Sequence, residues 1–384
     1  MSAMPSARHL ALAVAFAALV TLPFWMPGIY YINVSSQVLF YAIFALGLNI
    51  LVGYGGLVSL GHAGLFGITA YATAYLLSMG LGHTTAILGA LVISLGCTAV
   101  FAALALRATG IGFIMITLAL GQIIWGLAYR WISLTGGDNG INVKTRPAPF
   151  GVDLGAPDGF YYTSLVIFLI AIVVVAIFVR SPFGAALKGT RDQPRRMNAL
   201  GYHVWAIRFW ACVLSGLLTA VAGILFVYYT QFISPQTTSL TASAEVLLMV
   251  IAGGPATLLG PIVGAALVVI VKNVVSGYIE RWNFLLGAIF VAIVILMPEG
   301  LVPGTARLWR QGWRAFRGRR SIVIAGSAEP KPRARSPSTS SARRSAACAS
   351  PPTSTSTSSR ASGGSSSAQT APARPRCSTW SPAI

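Results

Sequence analysis

The chain has 384 residues, 55% of them hydrophobic and only 9% charged, with a formal net charge of +19 and a mean hydropathy of +0.73. A soluble domain carries about 25% charged residues, so this chain cannot cover a water-facing surface of its own size. A soluble enzyme is excluded, and so is a chain disordered over most of its length. Between His9 and Tyr129 the only Lys, Arg, Asp or Glu is Arg107, and between Phe209 and Val271 it is Glu245. Apolar runs this long are the mark of membrane-crossing helices, not the alternating pattern of a barrel.

The sequence therefore predicts an all-α, polytopic helical membrane protein with about ten transmembrane spans, each of about 20 apolar residues. They fall near 10–27, 36–52, 57–77, 84–106, 111–131, 161–179, 207–229, 244–258, 261–278 and 283–298. The first, behind Arg8, resembles a signal peptide but lacks a small-residue cleavage site, and reads as a retained span. Only Gly53-Tyr54-Gly55-Gly56 separates the second from the third, and the eighth breaks at Gly253-Gly254-Pro255. Some spans thus read as broken or re-entrant.

Charge sorts the chain into segments and orients it. Residues 1–306, the expected membrane domain, hold 13 Lys/Arg against 7 Asp/Glu, whereas residues 307–384 hold 14 against Glu329 alone. The loop 180–208 carries Arg180, Lys188, Arg191, Arg195, Arg196 and Arg208 against Asp192, and 307–320 carries six arginines. Cytoplasmic loops collect Lys and Arg, so both segments, and both termini, are expected inside. The more acidic loop 133–160 is expected outside. Residues 321–384 are rich in Ser, Thr, Ala, Pro and Arg and should be disordered. Cys97, Cys212, Cys348 and Cys377 show no disulfide or metal spacing.

Three features bear on function. The stretch from Gly53 to Gly67, GYGGLVSLGHAGLFG, has six glycines in 15 residues. Glycine this dense allows either close helix packing or an unwound backbone lining a path. Ser59, Gly61, His62 and Gly64 are the candidate substrate-pathway residues, with tight packing as the alternative reading. Intramembrane charge is nearly absent, which suits a neutral or zwitterionic cargo with an apolar side chain and an energy source elsewhere. Glu245 reads as a first-turn acid favoured by the helix dipole. In the basic loop, Asp192 is expected to cap a short helix with Pro194 in its first turn, and Ala199-Leu200-Gly201 to end it. Such a helix is either a docking element or an ordinary positive loop. HExxH, GxSxG and clustered metal ligands are missing, so no catalytic or metal site is predicted.

At these residues the sequence resembles the LivM-type permease subunits of branched-chain amino-acid ABC transporters. The matching pieces are YAIFALGLNILVGYGGLVSLGHAGLFGITAY from Tyr41, LALGQIIWGLAYRWISLTGGDNGI from Leu118, TRDQPRRMNALG from Thr190, GGPATLLGPIVGA from Gly253 and MPEGL from Met297. The resemblance implies a bacterial inner-membrane importer working with a sibling LivH-like permease, two cytoplasmic ABC ATPases and a periplasmic substrate-binding protein. The partners bind the ATP; the chain itself needs no cofactor, and its surroundings are the lipid bilayer, not nucleic acid. Arg191, Asp192, Ala199, Leu200 and Gly201 match the family's ATPase coupling loop. The chain departs from the family pattern at Pro194, where an acid is usual, and at Arg196 and Met197, where small residues are usual. The alternative function is a secondary transporter of a small neutral solute, which calls for buried ionisable groups.

The tail also reads as a frame-shifted segment. Its composition is that of GC-rich coding DNA read out of frame. With suitable synonymous codons, Ala368 to Thr379 read one base back spells Gly-Pro-Asn-Gly-Ala-Gly-Lys-Thr-Thr-Leu-Phe-Asn, whose first eight residues are a phosphate-cradling loop of the kind an ATPase carries. The alternative is a plain disordered basic tail attracted to anionic lipid.

Overall fold

The structure is a computed structural model and describes residues 19–23, 28–143 and 156–276, with isolated positions from 284 to 305. In lipid a backbone N–H or C=O has no water to turn to, so long apolar segments close their hydrogen bonds internally as helices. Helix α1 spans Ile29–Asn49 and continues as a π-helical turn, Ile50–Gly55. It is followed by α2 (His62–Ser78), α3 (His83–Ala105), α4 (Ile111–Arg130) and the single turn α5 (Ile132–Thr135). Helix α6 (Pro157–Arg180) leads into two short helices, α7 (Pro182–Asp192) and α8 (Pro194–Ala199). Then come α9 (Val204–Thr230), α10 (Leu240–Gly253) and α11 (Gly260–Ser276).

Among the described residues, five helices are long and apolar enough to cross a membrane: α1 with its π-helical continuation, α3, α4, α6 and α9. With α2 and the shorter apolar helices α10 and α11, they fall on the second to ninth predicted spans. The predicted first and tenth spans lie largely outside the described residues. So do the segments 307–320 and 321–384, with Cys348 and Cys377.

Helix α1 is the axis of the bundle, packed by α6, α9 and α11. Its spanning stretch is 83% buried, against 22–28% for α3, α4 and α6. Those three carry bare Leu88, Val92, Met115, Ile123, Val166 and Ile170 on the outside, as lipid-facing helices do. Phe40, Ile43, Phe44, Phe113, Tyr161 and Phe168 fill the interior. Lipid tails are as apolar as these side chains, so burial gives little drive for helix association. Close approach and interhelical hydrogen bonds, averaging about 0.6 kcal/mol each, carry more of the specificity. Thr69 of α2 is 2.6 Å from Ser94 of α3. Gln37 of α1 donates to the Tyr229 hydroxyl of α9 at 3.0 Å and accepts from Asn273 of α11 at 2.9 Å.

Three local expectations need correcting. The third span was placed from residue 57, but its helix begins at His62. Gly56 adopts a left-handed φ of 66°, and the irregular stretch behind it finds other partners: Leu57 N–H bonds to Leu51 O, and Leu60 N–H to the Thr117 hydroxyl. Asp192 does not cap a helix; it is the last residue of α7, and Gln193 occupies the N-cap position of α8 without a side-chain cap. Proline bars its predecessor from helical geometry, so Pro194 forces the break one residue later than the acid. Glu245 lies in the second turn of α10, not the first.

A two-stranded ladder, β1 (Ile141–Asn142) against β2 (Phe232–Ile233), ties the loop after α4 to the end of α9. Two-residue strands are too short to leave an alternating pattern in the sequence.

Candidate transport path and coupling site

The candidate pathway residues sit where α2 begins against α1, α4 and α9. Ser59 and His62 are buried. The His62 ring has Nδ1 2.9 Å from Ser59 Oγ and Nε2 2.9 Å from Ser215 Oγ. Ser215 spends its single hydroxyl proton on Gly47 O at 2.6 Å. Its oxygen must therefore accept from Nε2–H, and in a neutral ring Nδ1 then accepts from Ser59. The chain Ser59–His62–Ser215–Gly47 thus joins α2, α9 and α1 with every ring nitrogen used. Gly61 faces the backbone of α4: the Cα atom of Gly61 would lie 3.1 Å from a methyl group placed on Gly121. Gly64 packs under Ile124 of the same helix. In this conformation the four residues form a close-packed seam, the arrangement the packing alternative describes.

Below the seam the π-helical turn meets the break between α10 and α11. Asn49 donates to Thr257 O at 2.9 Å and accepts from Ala256 N–H at 3.1 Å. One side-chain amide thereby satisfies two backbone groups that an interrupted helix leaves open. A π-turn widens the helix by one residue per turn and often marks a functional position. Sequence reading found the glycines here but not Asn49, whose only signal was an amide inside an apolar run.

The coupling segment is built on this turn. Ser181 caps α7, its hydroxyl accepting from Gly184 N–H at 3.2 Å, with Pro182 in the first turn. Leu187 is fully buried, and Lys188 lies 5.2 Å from the Tyr54 ring centroid. Arg191 donates to Gly53 O, and Arg208 of α9 donates to Thr190 O at 2.7 Å. Helix α8 projects beyond, with none of its residues buried. Leu200 is 66% exposed after it, and Gly201 turns the chain with a φ of 86°. Of the predicted coupling residues, Arg191 holds the segment to the bundle, Asp192 closes α7, and Ala199, Leu200 and Gly201 form the exposed tip.

The Glu245 carboxylate meets Lys272 Nζ at 3.0 Å, across α10 and α11. The sequence reading of Glu245 as a dipole-stabilised acid is replaced by this pairing, which spans 27 residues of sequence. Among the described residues no cluster of His, Cys, Asp or Glu could hold a metal ion.

The described residues form a helical membrane bundle with a broken hairpin and a projecting basic helix pair. Residues 30–294 match the family described as branched-chain amino acid transport system / permease component, and the chain belongs to that family. It is a multi-pass membrane permease component. It is 28% identical over 298 residues to the high-affinity branched-chain amino acid transport system permease protein LivM of Salmonella typhimurium, covering 71% of this chain and 70% of that protein. The LivM permease of Escherichia coli is 29% identical over the same shares. The autoinducer 2 import system permease LsrC of Yersinia enterocolitica is similar over 34% of this chain and 38% of its own, at 28% identity.

Proposed function

We propose that the chain is the LivM-like subunit of an ABC importer for branched-chain, or closely related small neutral, amino acids. It pairs with a LivH-like sibling in a bacterial inner membrane, with both termini in the cytoplasm. Two ATPases bind ATP and drive alternating access, and a periplasmic binding protein delivers the cargo. Residues 1–306 act as the permease domain; 307–320 lie along the cytoplasmic surface, and 321–384 contribute no site. The observation that carries this reading is the α7–α8 pair: one side grips the π-helical turn through Arg191, and the other presents bare Leu200 to a partner. Leu200 and Gly201 seat in a cleft of the ATPase; Ser59, Gly61, His62 and Gly64 form the seam that opens and closes beside the path.

The test is leucine uptake in cells lacking their own leucine carriers and expressing this chain with its partners. Uptake should survive collapse of the ion gradients by an uncoupler while ATP is held up by glycolysis, and stop when ATP is depleted. Uptake that ends with the gradients would make the chain a secondary transporter.

A further inference from the structure

A second polar feature lies at the end of the bundle opposite α7 and α8. Helix α9 starts beside the coupling segment and runs 27 residues, about 40 Å at 1.5 Å per residue. Its far end, with α1 and α11, lines an open cavity of about 260 Å³. Among the described residues Gln37, Phe40, Tyr41, Tyr229, Lys272 and Asn273 line it. The volume sits just below the roughly 300–1,000 Å³ usual for drug-sized ligands, the scale of one amino acid.

The lining divides by chemistry. Phe40 and Tyr229 pack with ring centroids 5.5 Å apart, and Phe226 adds a third ring 5.9 Å from Phe40, giving an apolar wall. The opposite side is polar. Gln37 is fixed between the Tyr229 hydroxyl and Asn273, and Lys272 reaches both Glu245 oxygens, at 3.0 and 3.3 Å. Lys272 lines the cavity and Glu245 stands behind it as its partner, with side chains 39% and 21% exposed.

An ion pair between two apolar helices needs a reason. Well-packed apolar residues of similar volume serve stability as well or better, and ionisable groups inside a membrane bundle mark substrate paths. We infer that this cavity is a transient binding site for a zwitterionic amino acid with an apolar side chain. The substrate carboxylate takes Lys272, its ammonium takes Glu245, and its side chain lies on the Phe40–Tyr229 wall. A zwitterion can enter the pair and leave every charge with a counter-charge. An anion or a cation would strand one, and a neutral amide such as urea would replace neither. The inference rests on the importer reading above and narrows its cargo.

Weak binding is read by saturation-transfer NMR on the purified full-length chain with its sibling, without ATPase, ATP or binding protein, using leucine and urea as probes. Leucine resonances, strongest at the methyl groups, should receive saturation from the wild type and urea none. Lys272→Gln and Glu245→Gln should each cut the leucine signal at least about tenfold, because each leaves one substrate charge unpaired. The swap Lys272→Glu with Glu245→Lys tests the strut alternative. It keeps the pair, so it should restore thermal stability, but in the inverted register it should not restore leucine transfer. No leucine transfer to the wild type, equal transfer to urea, or full recovery in the swap would each overturn the site. Because no ATP is present, these results stand apart from a failure of ATP-driven uptake, which would instead count against the importer reading.

Discussion

The Arg191 guanidinium donates to the carbonyl of Gly53, tying the last turn of α7 to the π-helical end of α1. Four residues earlier Asn49 clasps the break between α10 and α11. A displacement of α7 is therefore felt at two interrupted helices through these two side chains, beside the core contact that buried Leu187 makes. Arg191→Met keeps the aliphatic stem and removes the donor. A hydrogen bond from a charged donor is worth about 1.5–3 kcal/mol, so coupling should fall by about tenfold or more. The readout is leucine carried per ATP hydrolysed, with ATPase co-purification unchanged.

Gly56 offers a sharper structural check. Its φ of 66° is left-handed, and a Cβ there would lie 2.7 Å from Arg191 Cγ. Gly56→Ala should cost about 1–2 kcal/mol from backbone geometry alone, and more from the displaced arginine. Gly96, inside α3, would meet nothing within 4 Å, and Gly96→Ala should stabilise by about 0.5–1 kcal/mol. Thermal unfolding in detergent should move the two variants in opposite directions.

The His62 seam predicts non-additivity. Ser215→Ala strands the imidazole N–H and removes the bond to Gly47 O, at about 1–3 kcal/mol. His62→Leu removes the ring that made the polar partner necessary. The double variant should lose less stability than the two singles added together. Simple additivity in a double-mutant cycle would mean that the ring and the hydroxyl are not coupled.

Orientation is tested by labelling. In a background without the native cysteines, Asn139→Cys, exposed between α5 and β1, should react with a membrane-impermeant maleimide added outside intact cells. Asn198→Cys, exposed in α8, should react only after the membrane is opened. The reverse pattern would invert the topology.

Much of this could be read from residues alone, because a bilayer leaves few choices. Runs of apolar residues must be helices, and Gly253-Gly254-Pro255 had to interrupt one; the α10–α11 break falls there. What stayed hidden were relations across the sequence. Nothing near Glu245 announces Lys272, and nothing near His62 announces Ser215, 153 residues away. A dipole argument for Glu245 was locally sound, and a tertiary partner displaced it. The cap at Asp192 failed for a local reason, since the restriction before Pro194 outweighs the preference of an acid for the N-cap. Asn49 was passed over because a single amide in an apolar helix looks the same whether it faces a neighbour or clasps a broken one.

The exposed tip at Leu200 isolates coupling from folding. Leu200→Asp should insert and melt like the wild type, since the side chain touches little in this chain. It should also lose the ATPase on co-purification, because it puts an unpaired charge into an apolar contact, at several kcal/mol.

The most direct test is uptake by purified parts. The chain, its sibling and the ATPases are reconstituted in proteoliposomes with ATP sealed on the ATPase side and leucine-loaded binding protein on the other. Radiolabelled leucine should accumulate against its gradient with hydrolysable ATP and not with a non-hydrolysable analogue, and Leu200→Asp should abolish it. Accumulation with the analogue, or an unimpaired Leu200→Asp variant, would contradict the assignment of this chain as an ATPase-coupled permease.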